Sequence, residues 1–151
     1  MLEVECPADM KAYIGQKVGT SEWVLVDQPM INAFADATGD HQWIHVDVER
    51  AKREMPGGKT IAHGYLTLSL LPRLGETVYR IRKTSRAINY GTNKVRFTSM
   101  VPAGSRVRLT QVLKGVEDVR GGVRMTFEST VEIEGSEKPA LVAEALFMAF
   151  D

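Results

Sequence analysis

From Ser85 onward the chain changes character, and that change limits the fold more than any other feature. Four stretches, Ala87 to Phe97, Ser105 to Val116, Val123 to Glu134 and Ala140 to Phe150, are rich in β-branched and aromatic residues at strand-like period. Such patterning marks strands that present one face to a core. The turn segments Pro102-Ala103-Gly104, Arg120-Gly121-Gly122 and Glu134-Gly135-Ser136 separate them. Connections this short predict successive antiparallel hairpins. A sheet of long strands needs a cover for its apolar face, and the most apolar segment of the chain is Ile61 to Leu74. It reads as a helix hydrophobic on most sides, central and wrapped by the sheet, with Pro72 kinking or ending it.

The first sixty residues contribute smaller pieces. Residues 9 to 19 open with a short helical turn and finish as a loop, Ile14 to Gly19, marked by its glycines. Glu22 to Val26 has strand composition, and Asp27 then offers an N-cap, with Pro29 tolerated in the first turn of a helix that ends at Gly39. Gly39 to Ile44 is expected as an irregular connection. Asp47 caps a second helix over 48–55, and Pro56 to Thr60 reads as a flexible loop. One early strand, short helices, a buried central helix and long antiparallel strands predict a single α+β domain over 1–151, with helices on one face of the sheet. Open sheet edges invite pairing with a second copy, so a homodimer is expected.

Composition narrows the partners. Nineteen Lys and Arg balance nineteen Asp and Glu, which leaves no electrostatic argument for nucleic acid or an anionic membrane. The lone Cys6 excludes an internal disulfide and a multi-cysteine zinc site and suits a reducing compartment. The acidic start, Met1 to Glu5, lacks the build of a signal peptide, and the apolar stretch from Tyr65 to Leu71 is too short to span a bilayer. A soluble cytoplasmic protein is expected.

Chemistry concentrates in Thr38 to Asp47, where two of the three histidines and two carboxylates fall within ten residues. Asp40 and His45 are spaced so that a short loop brings a carboxylate and an imidazole to one water, as acid–base chemistry requires. The structural alternative makes Asp40 a turn cap and His45 a satisfied core histidine; Asp47 is better read as an N-cap. Gly64, at the start of the central helix, offers a free backbone amide and room for close approach of an oxygen gaining negative charge. Equally, it is simply a point where backbone meets backbone. Facing each other, Asp40, His45 and Gly64 would suit reversible hydration of an α,β-unsaturated carbonyl.

Three blocks carry a family resemblance: Ala35 to Asp47, Ile61-Ala62-His63-Gly64, and Asn89 to Phe97. In that order they resemble the MaoC-like dehydratases, within them the nodulation-protein-N-like branch with its mycobacterial R-specific enoyl-CoA hydratases. The resemblance covers nearly the whole chain. It implies a hot dog fold, a dimer, and hydration of trans-2-enoyl-CoA to (R)-3-hydroxyacyl-CoA. It further implies Asp40 and His45 as the catalytic dyad and the Gly64 amide as the group polarising the thioester carbonyl. Coenzyme A enters as part of the substrate; neither a separate cofactor nor a metal is expected. By the same resemblance Thr60, Ile61, Ala62, His63 and Asn89 line the thioester and pantetheine path. Arg86, in a basic cluster with Arg80, Arg82 and Lys83, either meets phosphate or belongs to a solvated loop.

This chain departs from the family pattern at Gln42-Trp43, where many members carry Asn-Pro. The interval from aspartate to histidine is intact, and Trp43 is expected in core packing or as a wall of the acyl pocket. Three rivals remain. Hot dog thioesterases place a carboxylate on the central helix, and Gly64 to Leu74 contains none. A two-histidine, one-carboxylate iron site would use His45, Asp47 and His63. A non-catalytic acyl-CoA-binding protein would have no use for the dyad.

Overall fold

In the computed structural model, which describes residues 1–151, a three-residue strand β1 (Leu2–Val4) leads into a 3-10 turn over Pro7–Tyr13. Strands β2 (Lys17–Thr20) and β3 (Val24–Val26) follow. The helical region comprises α1 (Gln28–Thr38), α2 (Trp43–Val46), α3 (Val48–Glu54), α4 (Gly64–Ser69) and α5 (Leu71–Gly75). Then come β4 (Tyr79–Ile81) and the long strands β5 (Arg86–Phe97), β6 (Ser105–Val119), β7 (Gly122–Ile133) and β8 (Leu141–Phe150).

The main sheet runs β2-β6-β7-β8-β5, with β3 continuing the β2 edge on β6, and all its pairs are antiparallel. β1 and β4 form a separate parallel pair. Alternation places Val107, Leu109 and Leu113 of β6 and Met125, Phe127 and Val131 of β7 on the buried face. Leu66, Leu70, Leu71 and Leu74 of the central helical segment join the same core cluster. Because burial of apolar side chains is the dominant favourable term in folding, this layer fixes where the start of α4 sits. The sheet wrapped around the helical segment is a hot dog fold, as the sequence predicts.

Four local expectations need correction. Pro56 to Thr60 is not a flexible loop: Pro56–Gly58 forms a 3-10 turn, and Thr60 is buried with its hydroxyl bonded to Gln28. The segment expected as a loop through Gly19 contains β2, because Lys17–Thr20 completes the sheet edge, with Gly19 opposite Gln111 across a bulge. The connection from Gly39 to Ile44 is not irregular throughout: Trp43 starts α2, closed by the Asp47 amide donating to the Trp43 carbonyl at 3.0 Å. The central helix is not one rod from Ile61 to Leu74. Ile61 to His63 is extended, with Ile61 bridged to Pro102, and the helix begins at Gly64 and is divided at Leu70, where the missing N–H of Pro72 interrupts the ladder.

Asp27 accepts from the Met30 amide at 3.0 Å and Asp47 from the Arg50 amide at 3.0 Å, so both expected N-caps are present. β5 is an edge strand with its residues almost all exposed. Ile88, Tyr90 and Phe97 on it, with Tyr65 and Met100 nearby in the chain's other segments, are the larger apolar side chains left to solvent there. No helix is long and apolar enough to cross a membrane.

Candidate active site

Helix α1 delivers the chain to the site and then turns it. Gly39 caps the helix with φ 81°, its amide donating to the Ala35 carbonyl at 2.8 Å; a glycine takes this left-handed conformation at little cost. The next residue, Asp40, is exposed, whereas His45, the third residue of α2, is buried. His45 is held at both ends. Its Nδ1–H donates to the Ile61 carbonyl at 2.7 Å, and Gln28 Nε2 donates to its backbone carbonyl at 2.7 Å. Gln28 is itself fixed by the buried Thr60 hydroxyl. A carbonyl only accepts, so the hydrogen sits on Nδ1 and the Nε2 lone pair of His45 is left free.

His63 lies behind this pair. It is buried, its Nε2–H donates to the Asp40 carbonyl at 3.0 Å, and its ring stacks on His45 at 3.8 Å between centroids and 24° between planes. Phe34 meets the same ring at 4.9 Å. A carboxylate oxygen of Asp40 and ring nitrogens of His45 and His63 all lie within 4.8 Å of one another. That gap is shorter than two hydrogen bonds of about 2.8 Å end to end, so one water has the reach to bond both an Asp40 oxygen and a His45 ring nitrogen.

The cleft beside His45, about 190 Å³, is lined by Ile61, Ala62, Gly64, Thr67 and Phe97 among others. Gly64 is the first residue of α4, so its amide has no carbonyl one turn earlier to bond. Its missing side chain has a second use. A Cβ there would fall 2.8 Å from the Phe97 ring, which also meets Tyr65 edge-on at 5.6 Å.

The predicted residues divide clearly. His45, Ile61, Ala62 and Gly64 line the cleft, and an Asp40 carboxylate oxygen lies within 4.8 Å of a His45 ring nitrogen. Thr60 and His63 are buried and outside the cleft lining; His63 bonds the Asp40 carbonyl directly, and Thr60 reaches His45 only by way of Gln28. Asn89 lines a different cavity of about 590 Å³ between α5, β4 and the sheet, which does not include His45 or Gly64. Tyr79 in that cavity has its phenol pushed up to about 12 by burial. Arg86 lies over the Phe150 ring at 4.3 Å, while Arg82 and Lys83 pair with Glu3 and Glu5. Trp43 is half-buried under the Arg50 guanidinium, 4.0 Å from its ring centroid, and is neither core nor a wall of the cleft. His41 pairs with Asp36 at 3.0 Å, a hydrogen bond that raises its pKa.

Gln28, Phe34 and Phe97 belong to the site although sequence reasoning gave them no role. Only Phe97 carried a signal, as the last residue of the third resemblance block.

Asp40, His45 and His63 are also the residue types that hold a metal. Their arrangement suits one poorly. Stacked imidazoles send their in-plane lone pairs side by side instead of toward one point.

Comparison with known proteins places the chain. A family model described as the MaoC like domain matches residues 9–134. The chain belongs to the MaoC-like domain family. It is 57% identical over 147 residues to 3-hydroxyacyl-thioester dehydratase Z of Mycobacterium tuberculosis, covering 97% of each chain. It is 47% identical over 144 residues to Nodulation protein N of Rhizobium meliloti, covering 94% of this chain and 89% of that one. Among solved structures, the unliganded R-hydratase PhaJ1 of Pseudomonas aeruginosa superposes with a TM-score of 0.73 at 24% identity, covering 91% of this chain and 82% of that one. At that identity the likeness speaks for the hot dog fold.

Proposed function

We propose that this MaoC-like protein is an R-specific enoyl-CoA hydratase, adding water reversibly to trans-2-enoyl-CoA to give (R)-3-hydroxyacyl-CoA. The observation that carries this is the meeting of an Asp40 carboxylate oxygen and a His45 ring nitrogen within reach of one water, with Gly64, the first residue of α4, lining the same cleft as His45. Membership of a dehydratase family and the strong likeness to a 3-hydroxyacyl-thioester dehydratase support the same chemistry.

Water donates a proton to the dyad as its oxygen bonds to the β-carbon. The double-bond electrons move toward the α-carbon and the thioester carbonyl, whose oxygen gains charge against the Gly64 amide. The α-carbon then takes a proton back from the dyad, so one water is added and no other reactant is consumed. The His45–Ile61 hydrogen bond holds the imidazole in the tautomer this needs. No step calls for a metal or a separate cofactor. The protein works as a homodimer, a second copy covering the bare edge of β5 and its exposed Ile88, Tyr90 and Phe97.

The test is the loss of enoyl-thioester absorbance with crotonyl-CoA. The expected product is the (R) alcohol, with activity unchanged by a chelator. An (S) product, or activity removed by the chelator and restored by iron or zinc, would overturn the assignment. Sedimentation should give twice the chain mass; a monomeric active enzyme would remove the second copy from the account.

A further inference from the structure

We propose that His63 is a positioning residue for this reaction, aligning Asp40 with His45 through a single buried ring; the inference rests on the hydratase reading above. His63 is 2% exposed, its ring enclosed by His45, Phe34 and the Asp40 backbone, so it supports the pair and does not meet the substrate. Its place in the chain is rigid. The Ala62 amide donates to the Val101 carbonyl at 2.8 Å, and the His63 carbonyl accepts from the Leu66 and Thr67 amides at 3.0 and 3.2 Å.

From that fixed point the ring touches both members of the dyad. One face stacks on His45, and Nε2–H grips the Asp40 carbonyl. Asp40 needs the grip, because it is exposed and its other ties are long: its amide reaches Thr38 Oγ1 at 3.4 Å, and its carboxylate accepts from the Gln42 amide at 3.4 Å. At 3.0 Å the bond from His63 is the shortest restraint on this residue.

The remaining nitrogen makes the same point. His63 Nδ1 is buried with no partner, a condition that costs stability and is uncommon in native interiors. A residue kept only for packing would be better served by an apolar ring. What the position demands is an aromatic face for His45 together with one donor for Asp40, and histidine supplies both.

A misplacement of about 1 Å costs up to roughly a hundredfold in rate, and loosening Asp40 is a milder disturbance. His63→Ala should therefore lower kcat for crotonyl-CoA by about tenfold while KM changes little. His63→Phe keeps the ring face and loses the donor; His63→Gln keeps a donor and loses the ring. Each should recover part of the loss, and added imidazole should partly rescue His63→Ala. A KM increase with kcat intact would make His63 a substrate contact and overturn the proposal, as would unchanged kinetics. The chain has only three histidines, so ring carbon–proton NMR signals give a readout apart from activity. The His45 signals should move in His63→Phe and His63→Gln; unmoved signals would also overturn the proposal. If His63→Ala fails to fold, the near-isosteric His63→Phe carries the test. If the wild-type protein does not hydrate crotonyl-CoA, the hydratase reading falls, and the His45 signals still decide whether His63 positions the pair.

Discussion

Asp40→Asn and His45→Ala should each lower kcat/KM for crotonyl-CoA hydration by about 10²- to 10⁴-fold, the usual cost of removing a positioned acid–base group. The two substitutions differ in what else they disturb. Asp40 is exposed and its carboxylate accepts only the long bond from Gln42, so Asp40→Asn should melt with the wild type. His45→Ala leaves the Ile61 carbonyl without its donor and opens a gap beside His63, a loss of about 1–3 kcal/mol for an orphaned buried acceptor. Its activity must therefore be read at a temperature where circular dichroism shows it folded, alongside His45→Gln, which retains a donor. Because both groups handle one water, the double variant should be little worse than the poorer single one. Near wild-type kcat/KM in either folded single variant would remove the dyad.

Gly64→Ala should lower kcat by about 10- to 100-fold, less than the complete loss of an oxyanion donor. Two causes contribute, and the geometry separates them. The methyl group crowds the oxygen that the Gly64 amide is to hold, and it also meets the Phe97 ring at 2.8 Å. Phe97 lies outside the buried core cluster, so a shift of its ring would distort the cleft wall without unfolding the core. Pairing Gly64→Ala with Phe97→Ala relieves the second cause only. Rates of the two single variants and the double, with binding of a saturated acyl-CoA, resolve the shares. Full recovery in the double variant would mean that Gly64 serves Phe97 and that the oxyanion donor is elsewhere. A folded, fully active Gly64→Ala protein would displace the thioester from this helix start altogether.

The parts of the fold that depend on strong local signals were legible in the sequence. Long strands broken by glycine turns, Asp27 and Asp47 as caps, and Gly39 as a helix stop each follow from one residue's backbone or hydrogen-bonding preference. What escaped was set by partners distant in the chain. Lys17–Thr20 becomes a strand because β6 offers it an edge, which a short segment with two nearby glycines does not announce. Trp43–Val46 becomes helical within the turn that carries His45. At the site, Asp40 and His45 stood out because their side chains are chemically loud and close in sequence. Gln28 did not, since a glutamine after an N-cap is ordinary, and its bonds to His45 and Thr60 cross 17 and 32 residues. His63 was visible as a residue but not in its role, because a stack on His45 has no sequence signature.

The anchors of this site have one property in common: the atom being held is a backbone carbonyl, of Ile61 for His45, of Asp40 for His63, and of His45 for Gln28. Every amino acid supplies that atom. The side chains of the loop between Asp40 and His45 are thereby released from the task of holding this pair, and Trp43 among them stacks outward under Arg50. If Asp40 and His45 react as proposed, the side chains of the loop between them, and the surface they form, can change while these anchors stay in place.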